Sequence, residues 1–375
     1  MQRVCIVFFV VMSLQIGIVG LPNVGKSTLF NAMTASRGAQ AANYPFCTIE
    51  PNVGIVEVQD PRLAKLKDAV NGEKVVPATV EFVDIAGLVK GAAAGEGLGN
   101  KFLSHIRNCE AVLQVVRIFD DSNVIHVENS IQPKRDIEII NAELILADLE
   151  TVQKGIHGVE KKARSGDKEA AASLAALKHI ETVLLEGKLA ISAEMSLDDR
   201  LALEPFHLLT NKPFIYAANV SEDQLSTLSL DSIREQLGID SSFEILPVSA
   251  KLEEELLDLE SEEKKAFLSE LGVQDSGLDR LISTAFRTLG LMYYFTAGEK
   301  EVRAWTIHEG WTAPEAAGVI HTDFERGFIK ADVVSWADLV EHQGWSKARE
   351  AGKVRMEGKD YIVKDGDVML FKFNV

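Results

Sequence analysis

Gly20-Leu-Pro-Asn-Val-Gly-Lys-Ser27 fits the phosphate-loop pattern G-x-x-x-x-G-K-[ST]. Glycines at Gly20 and Gly25 permit backbone conformations that side chains forbid. The N–H groups over Asn23, Val24, Gly25, Lys26, Ser27 and Thr28 are therefore expected to wrap a phosphate at the positive end of a helix dipole. Lys26 would reach the β- and γ-phosphates, and the Ser27 hydroxyl would ligate Mg²⁺. The bland alternative is a glycine turn between a strand and a helix. Downstream motifs argue against it by recurring in the order a nucleotide site needs. Asp84-Ile-Ala-Gly87 fits D-x-x-G, with Asp84 holding Mg²⁺ through water and the Gly87 N–H sensing the γ-phosphate. Between the two, Thr48 in Phe46-Cys-Thr-Ile-Glu-Pro51 is a candidate to complete the Mg²⁺ shell, or else a loop-capping threonine.

Base recognition departs from the guanine pattern N-K-x-D, whose aspartate accepts two hydrogen bonds from guanine. The corresponding stretch is Asn219-Val-Ser-Glu222, with Val220 in place of lysine and a carboxylate one methylene further from its backbone. Adenine offers an exocyclic donor and a ring acceptor, which Asn219 and a backbone carbonyl near Val220 could meet. Ser249-Ala250-Lys251 fits a base-flanking loop. ATP is thus expected over GTP.

These residues need strands that end at the site. Gln15–Val19 reads as a short buried strand and Ser27–Met33 as a helix start. From Ile16 to about Val127 strand and helix patterns alternate, with Val80–Asp84 and Ala111–Val116 as strand candidates, which predicts a mostly parallel sheet. Residues 135–204 carry helical periodicity in two stretches, Ile137, Ile140 and Leu144, then Leu174, Leu177, Ile180 and Leu184, broken at Ser165–Lys168. That predicts a coiled-coil-like helical hairpin. Strand character returns at Pro213–Asn219 and Phe243–Ser249, so the hairpin is an insertion. The acidic run Glu253–Lys265 reads as a solvated helix face. After Leu291, Val302–Ile307, the helix candidate Ala313–Ile320, Phe328–Asp332, and strands Tyr361–Val363 and Val368–Phe373 around an Asp365-Gly366 turn suggest a small β-grasp module. Trp305, Trp311, Trp336 and Trp345 are expected in its core or rim.

The net charge of −17, from 39 basic and 56 acidic residues, argues against binding nucleic acid over the whole surface. An RNA partner needs a local patch, and the best is the hairpin tip with Lys154, Lys161, Lys162, Arg164 and Lys168, where a solvated helix end is the alternative. Cys5, Cys47 and Cys109 lack disulfide or metal-ligand spacing, which suits a reducing cytosol. The apolar run in residues 1–11 is too short to span a bilayer and lacks a small-residue cleavage site, so export and membrane anchoring are not expected; these residues are expected to be a dispensable or misassigned extension.

The stretches Gly20–Thr28, Asn43–Pro51, Asp84–Ala92 and Asn219–Glu222, with Phe295–Gly298, Ala304–Ile307, His321–Glu325 and Asp360–Val368, resemble the YchF branch of the Obg-like ATPases, and the end of the chain is similar to that family's TGS domain. The resemblance runs from about Met12 to Val375. It implies an α/β fold with a P-loop G-domain at 12–134 and 205–290, an inserted coiled coil at 135–204 and a TGS domain at 291–375. It further implies a cytoplasmic Mg²⁺-dependent ATPase that binds the ribosome, particularly the large subunit (50S/70S, through rRNA or ribosomal protein), as a translation or stress switch. A monomer without sequence-specific DNA binding is expected. The competing readings are a GTPase translation factor and a ribosome adaptor in which hydrolysis is incidental. Leu88 stands where Ras-like hydrolases carry the glutamine that orients water, and a leucine cannot do so. Asn23 lies where cation-activated relatives of the wider class hold K⁺, or merely shapes the loop. Gln114 stands where family members often place a histidine near a strand end, and its amide is a candidate for orienting water. The glycine-rich Lys90–Gly99 reads as a lid.

Overall fold

Ile16, Ile18 and Val19 are fully buried, so the first strand has to be covered on both faces, which places it in the interior of a parallel sheet. The computed structural model describes residues 15–37, 52–85, 100–119, 131–273 and 275–374. Along them run the strands β1 (Gln15–Val19), β2 (Val53–Glu57), β3 (Lys74–Val76), β4 (Thr79–Asp84), β5 (Ala111–Arg117), β6 (Phe214–Asn219), β7 (Glu244–Val248), β8 (Leu291–Ala297), β9 (Glu301–His308), β10 (Phe328–Ser335), β11 (Arg355–Glu357) and β12 (Asp367–Phe373). The helices are α1 (Lys26–Arg37), α2 (Pro61–Val70), α3 (Asn100–Asn108), α4 (Pro133–Arg164), α5 (Lys168–Leu185), α6 (Leu197–Leu203), α7 (Glu222–Thr227), α8 (Leu230–Leu237), α9 (Ala250–Glu255), α10 (Ser261–Glu270), α11 (Gly277–Thr288), α12 (Ala313–Ile320), α13 (Thr322–Arg326), α14 (Trp336–Glu341) and α15 (Trp345–Glu350).

Residues Gln15–Gly54 and Glu81–Leu281 form one compact unit. Its sheet has the order β2-β4-β1-β5-β6-β7, with β1 parallel to β4 and β5, β5 to β6, and β6 to β7. The ends of β1, β4, β6 and β7 therefore carry the phosphate loop, Asp84, Asn219 and Ser249 side by side. The inserted hairpin is α4, of 32 residues, and the shorter α5, of 18. Pro133 starts α4, and Asp167, accepting from the Ala170 N–H at 3.1 Å, starts α5 within the expected break. Asp148 pins α4 to the sheet. It is fully buried and accepts from Leu209 N–H at 2.8 Å, Thr210 N–H at 2.7 Å and the Thr210 hydroxyl at 2.6 Å, holding the chain that enters β6. Burial pushes the Asp148 pKa up, against the pull of those donors.

Ile55–Val80 and the chain from Ile282 onward form a second compact unit. Its sheet order is β11-β10-β12-β8-β9-β3; β8 and β9 are an antiparallel hairpin, and β12 lies parallel to β8. The core gathers Tyr294, Ile307, Ala316, Phe328, Ala331 and Phe371, and the Tyr294 hydroxyl donates to the Ala316 carbonyl at 2.9 Å. Trp305 and Trp311 pack against this core, and the Trp345 indole donates to the Ala297 carbonyl, as expected of core and rim residues.

Two expectations change. Residues 55–80 do not group with the nucleotide unit: β3 adds to β9 in parallel, Lys74 opposite Glu301 and Val76 opposite Arg303, and α2 packs on the same unit. A three-residue strand whose partner lies far downstream leaves no local pattern to read. Tyr361–Val363 is no strand either, because its backbone is used by the turn before α12: Ala313 N–H donates to the Tyr361 carbonyl and Val363 N–H to the Trp311 carbonyl. The partner of β10 on its outer side is β11 instead.

Arg62 of α2 holds this unit together. Its guanidinium sits 2.7 Å from Asp60 and 2.6 Å from Asp365, over the Phe295 ring at 4.9 Å. Arg62→Met leaves the Asp60 carboxylate without its fork and should cost about 2–3 kcal/mol. Hydrogen exchange should rise together in α2, β8 and β12, and Arg62→Lys should restore only part, since an ammonium cannot reach both carboxylates in one plane.

Candidate nucleotide site

The loop after β1 adopts the shape the glycine pattern demands. Asn23 (φ 60°) and Gly25 (φ 94°) both lie in the left-handed region. Asparagine is among the few side chains that tolerate that region, so the loop's shape alone accounts for Asn23. At Gly25 a Cβ would fall 2.2 Å from the Asn219 amide nitrogen, so the close approach of β6 to the loop needs glycine. Val24 is buried, and Lys26 and Ser27 open α1, with Thr28 in the same turn.

Asn219 ends β6 and is buried. Its Nδ2 donates to the Val24 carbonyl at 2.8 Å, and its Oδ1 accepts from Ala250 N–H at 3.0 Å. The side chain expected to read the base is thus a staple joining the phosphate loop to the loop after β7, with one amide hydrogen left over. Val220 is buried, its N–H bound to the Val248 carbonyl, and its neighbour Ser221 caps α7. Ser249 caps α9, its hydroxyl accepting from Leu252 N–H. Glu222 faces Lys251 at 3.3 Å, and Lys251 also reaches Glu255 at 3.3 Å. These two hydrogen bonds raise the Lys251 pKa.

Across the sheet ends, the Lys26 ammonium is bonded to the Asp84 carboxylate, both nearly buried. The cation expected to meet the phosphates and the carboxylate expected to face the metal are therefore within reach of one point. Gln114 is placed differently from the strand end expected for it. It lies in the middle of β5, opposite Val19 of β1 and Tyr216 of β6, fully buried, with neither Nε2 nor Oε1 hydrogen-bonded among the described residues. Such orphaned groups cost about 1–3 kcal/mol each. Thr48, Gly87, Leu88 and the Lys90–Gly99 stretch lie outside the described residues, as do residues 1–11.

Glu253, first in the acidic run, is buried rather than solvated, and accepts from Gly277 N–H at 2.6 Å, tying α9 to the start of α11. A glutamate inside a charged run gives no signal of burial. Desolvation raises its pKa, opposed by the Gly277 N–H. A folded pKa above the unfolded one means ionisation costs stability as pH rises. Glu253→Gln keeps the Oε1 acceptor and removes the charge. Its unfolding midpoint should exceed the parent's at neutral pH, and the gap should close as pH falls below the ordinary value of 4.5.

Residues 15–150 match a family model described as 50S ribosome-binding GTPase, and residues 291–374 match the YchF-GTPase_C model, described as a protein of unknown function. The chain is 55% identical over 368 residues to the ribosome-binding ATPase YchF of Bacillus subtilis strain 168, covering 97% of this chain and 100% of that protein. It is 52% identical over 365 residues to the protein of the same name from Escherichia coli O157:H7, with the same coverage. The solved structure of the Schizosaccharomyces pombe YchF GTPase superposes with a TM-score of 0.86 at 39% identity, covering 96% of this chain and 98% of that one. With its phosphate loop, Asp84 and Asn219 staple in one continuous sheet edge, and with relatives matched over their whole length, the chain belongs to the YchF family.

Proposed function

We propose that this chain is a Mg²⁺-dependent ATPase that works on the ribosome as a nucleotide-controlled switch. The observation that carries the reading is the convergence of the Lys26–Asp84 pair with the Asn219 staple at one sheet edge. The ribosome enters through the relatives' name, and the matched model's description points to the large subunit. The C-terminal unit is read as a TGS domain and α4–α5 as the family's coiled coil. The tip lysines Lys161, Lys162 and Lys168 are exposed and offer an RNA contact, although Lys161 and Lys162 also suit the negative end of α4. A cytoplasmic monomer fits this role.

The donor set suits magnesium: the Ser27 hydroxyl is a hard oxygen ligand and the Asp84 carboxylate would hold the ion through water, with Thr48 as the third candidate. When bound, Mg²⁺ supplies charge neutralisation between the phosphates. Lys26 exchanges Asp84 for the phosphate oxygens, which frees that carboxylate to face the metal. The N–H groups from Asn23 to Thr28 fix the phosphates. Gly87 reports the γ-phosphate, and Leu88 cannot orient the attacking water.

Base preference follows from the far end of the site. Guanine needs an unencumbered carboxylate to accept two hydrogen bonds, whereas Glu222 faces Lys251 and Val220 replaces the lysine of the guanine pattern. The remaining Asn219 amide hydrogen, with the Val220 carbonyl and the Ser249–Ala250 loop, suits adenine's ring acceptor and exocyclic donor. In direct competition for a fluorescent nucleotide, ATP should displace it at a concentration at least about tenfold below GTP, a difference of about 1.4 kcal/mol. Lys26→Ala should weaken both by about the 1.5–3 kcal/mol of a charge-assisted bond, leaving the preference unchanged. Equal displacement by the two nucleotides would favour the GTPase reading. Asn23 is further proposed to hold K⁺ beside the phosphates; turnover should then be faster in K⁺ than in Na⁺, and equal rates would assign Asn23 to loop shape alone.

A further inference from the structure

β7 is the edge of the nucleotide sheet, so its outward-facing carbonyls have no further strand to bond. Pro247 sits within it, opposite Ala218 of β6, where an edge strand tolerates the missing N–H. The Pro247 carbonyl is taken by Arg280 of α11, whose Nη2 donates to it at 2.9 Å. One residue on, Val248 turns its carbonyl the other way, to the Val220 N–H at 2.9 Å. The end of β7 is therefore gripped from both sides.

The same turn of α11 holds the helix that follows β7. Gly277 N–H donates to Glu253 Oε1 at 2.6 Å, and the Glu253 N–H donates to the Ser249 carbonyl at 3.0 Å. The approach needs glycine: a Cβ at Gly277 would fall 2.8 Å from Val248 Cγ2 and 2.9 Å from Glu253 Oε1. Glu253 is 2% exposed, and its other oxygen, Oε2, is buried with no partner among the described residues. Desolvation raises its pKa, and the Gly277 N–H and the charges of Lys264 and Arg280 oppose the rise. Two contacts from one helical turn thus bracket residues 247–253. Between them lies the Ser249–Ala250 loop, whose Ala250 N–H donates to Asn219.

We propose that Arg280 and Glu253 are positioning residues for nucleoside recognition: the first turn of α11 sets where the Ser249–Ala250 loop meets the base, so affinity for the base, but not for the phosphates, depends on it. The proposal rests on the reading of that loop as the base-flanking one. Both residues act through backbone they hold, Arg280 through the Pro247 carbonyl and Glu253 through α9. Water could answer an edge carbonyl nearly as well, so what the guanidinium adds is a fixed position.

The test measures binding of ATP and of inorganic tripolyphosphate to the full chain carrying Arg280→Met, Arg280→Lys or Glu253→Leu. Arg280→Met and Glu253→Leu should each weaken ATP by about fivefold or more while tripolyphosphate stays within about twofold. Arg280→Lys keeps a donor for one carbonyl and should recover part of the loss. Unchanged ATP affinity in Arg280→Met, or ATP and tripolyphosphate weakened by the same factor, overturns the proposal. If the parent binds ATP no more tightly than tripolyphosphate, the base-loop reading fails on its own, and hydrogen exchange in the free protein judges the brace. Faster exchange at Ala250 and Leu252 in Arg280→Met, with β5 unchanged, upholds it as a loop anchor, and equal exchange removes it. Arg280→Met keeps most of the arginine stem and carries the test if Glu253→Leu does not fold.

Discussion

The nucleotide site hangs on the Asn219 carboxamide. Its Nδ2 donates to the Val24 carbonyl and its Oδ1 accepts from the Ala250 N–H, so a single planar group fixes the distance between the loop after β1 and the loop after β7. Both bonds are buried, where a hydrogen bond is strong and an unmade one is costly. Gly25 is the other half of the constraint, because only its missing Cβ lets Asn219 come so close. An aspartate would repel the Val24 carbonyl, and a longer amide would separate the loops. The residue type, the glycine and the strand register are one requirement expressed three times.

Around that staple the unit spends buried polar groups on holding loops rather than on the core. Asp148 occupies its two oxygens with the chain entering β6, and Glu253 caps the start of α11. Both carboxyls have raised pKa values because burial outweighs their donors. Their contribution is therefore positional more than stabilising: an apolar replacement would pack as well but leave the same backbone N–H groups unanswered. The helical hairpin and the α9 loop are located relative to the sheet by these carboxylates, which is what a site built from four separate strand ends requires.

What the sequence revealed follows from how local each feature is. The phosphate loop, the strand that ends at Asp84 and the α4–α5 break each depend on neighbours within a few residues, and each is found where its pattern put it. The helix over Ala313–Ile320 is equally local, with Thr312 and Glu315 forming its capping box. Failures occur where a distant partner decides. β3 is a strand only because β9 offers an edge, Tyr361–Val363 is not one because residues 311–313 take its backbone, and Glu253 is buried only because the Gly277 N–H needs an acceptor. Asn219 lies between the two: its motif marks the residue, but the direction of its amide is set by loops distant in sequence from each other.

The buried atoms without partners extend the same reasoning. A stable core avoids them, and a sequence that keeps them is trading stability for something else. Gln114 is a sharp case, since leucine or methionine would fill the middle of β5 at lower cost. It lies level with the root of the phosphate loop, beside the buried Tyr216. In the same unit Asn219 has its oxygen and one amide hydrogen committed, whereas neither polar atom of Gln114 has a partner among the described residues. The committed amide fixes the distance between two loops.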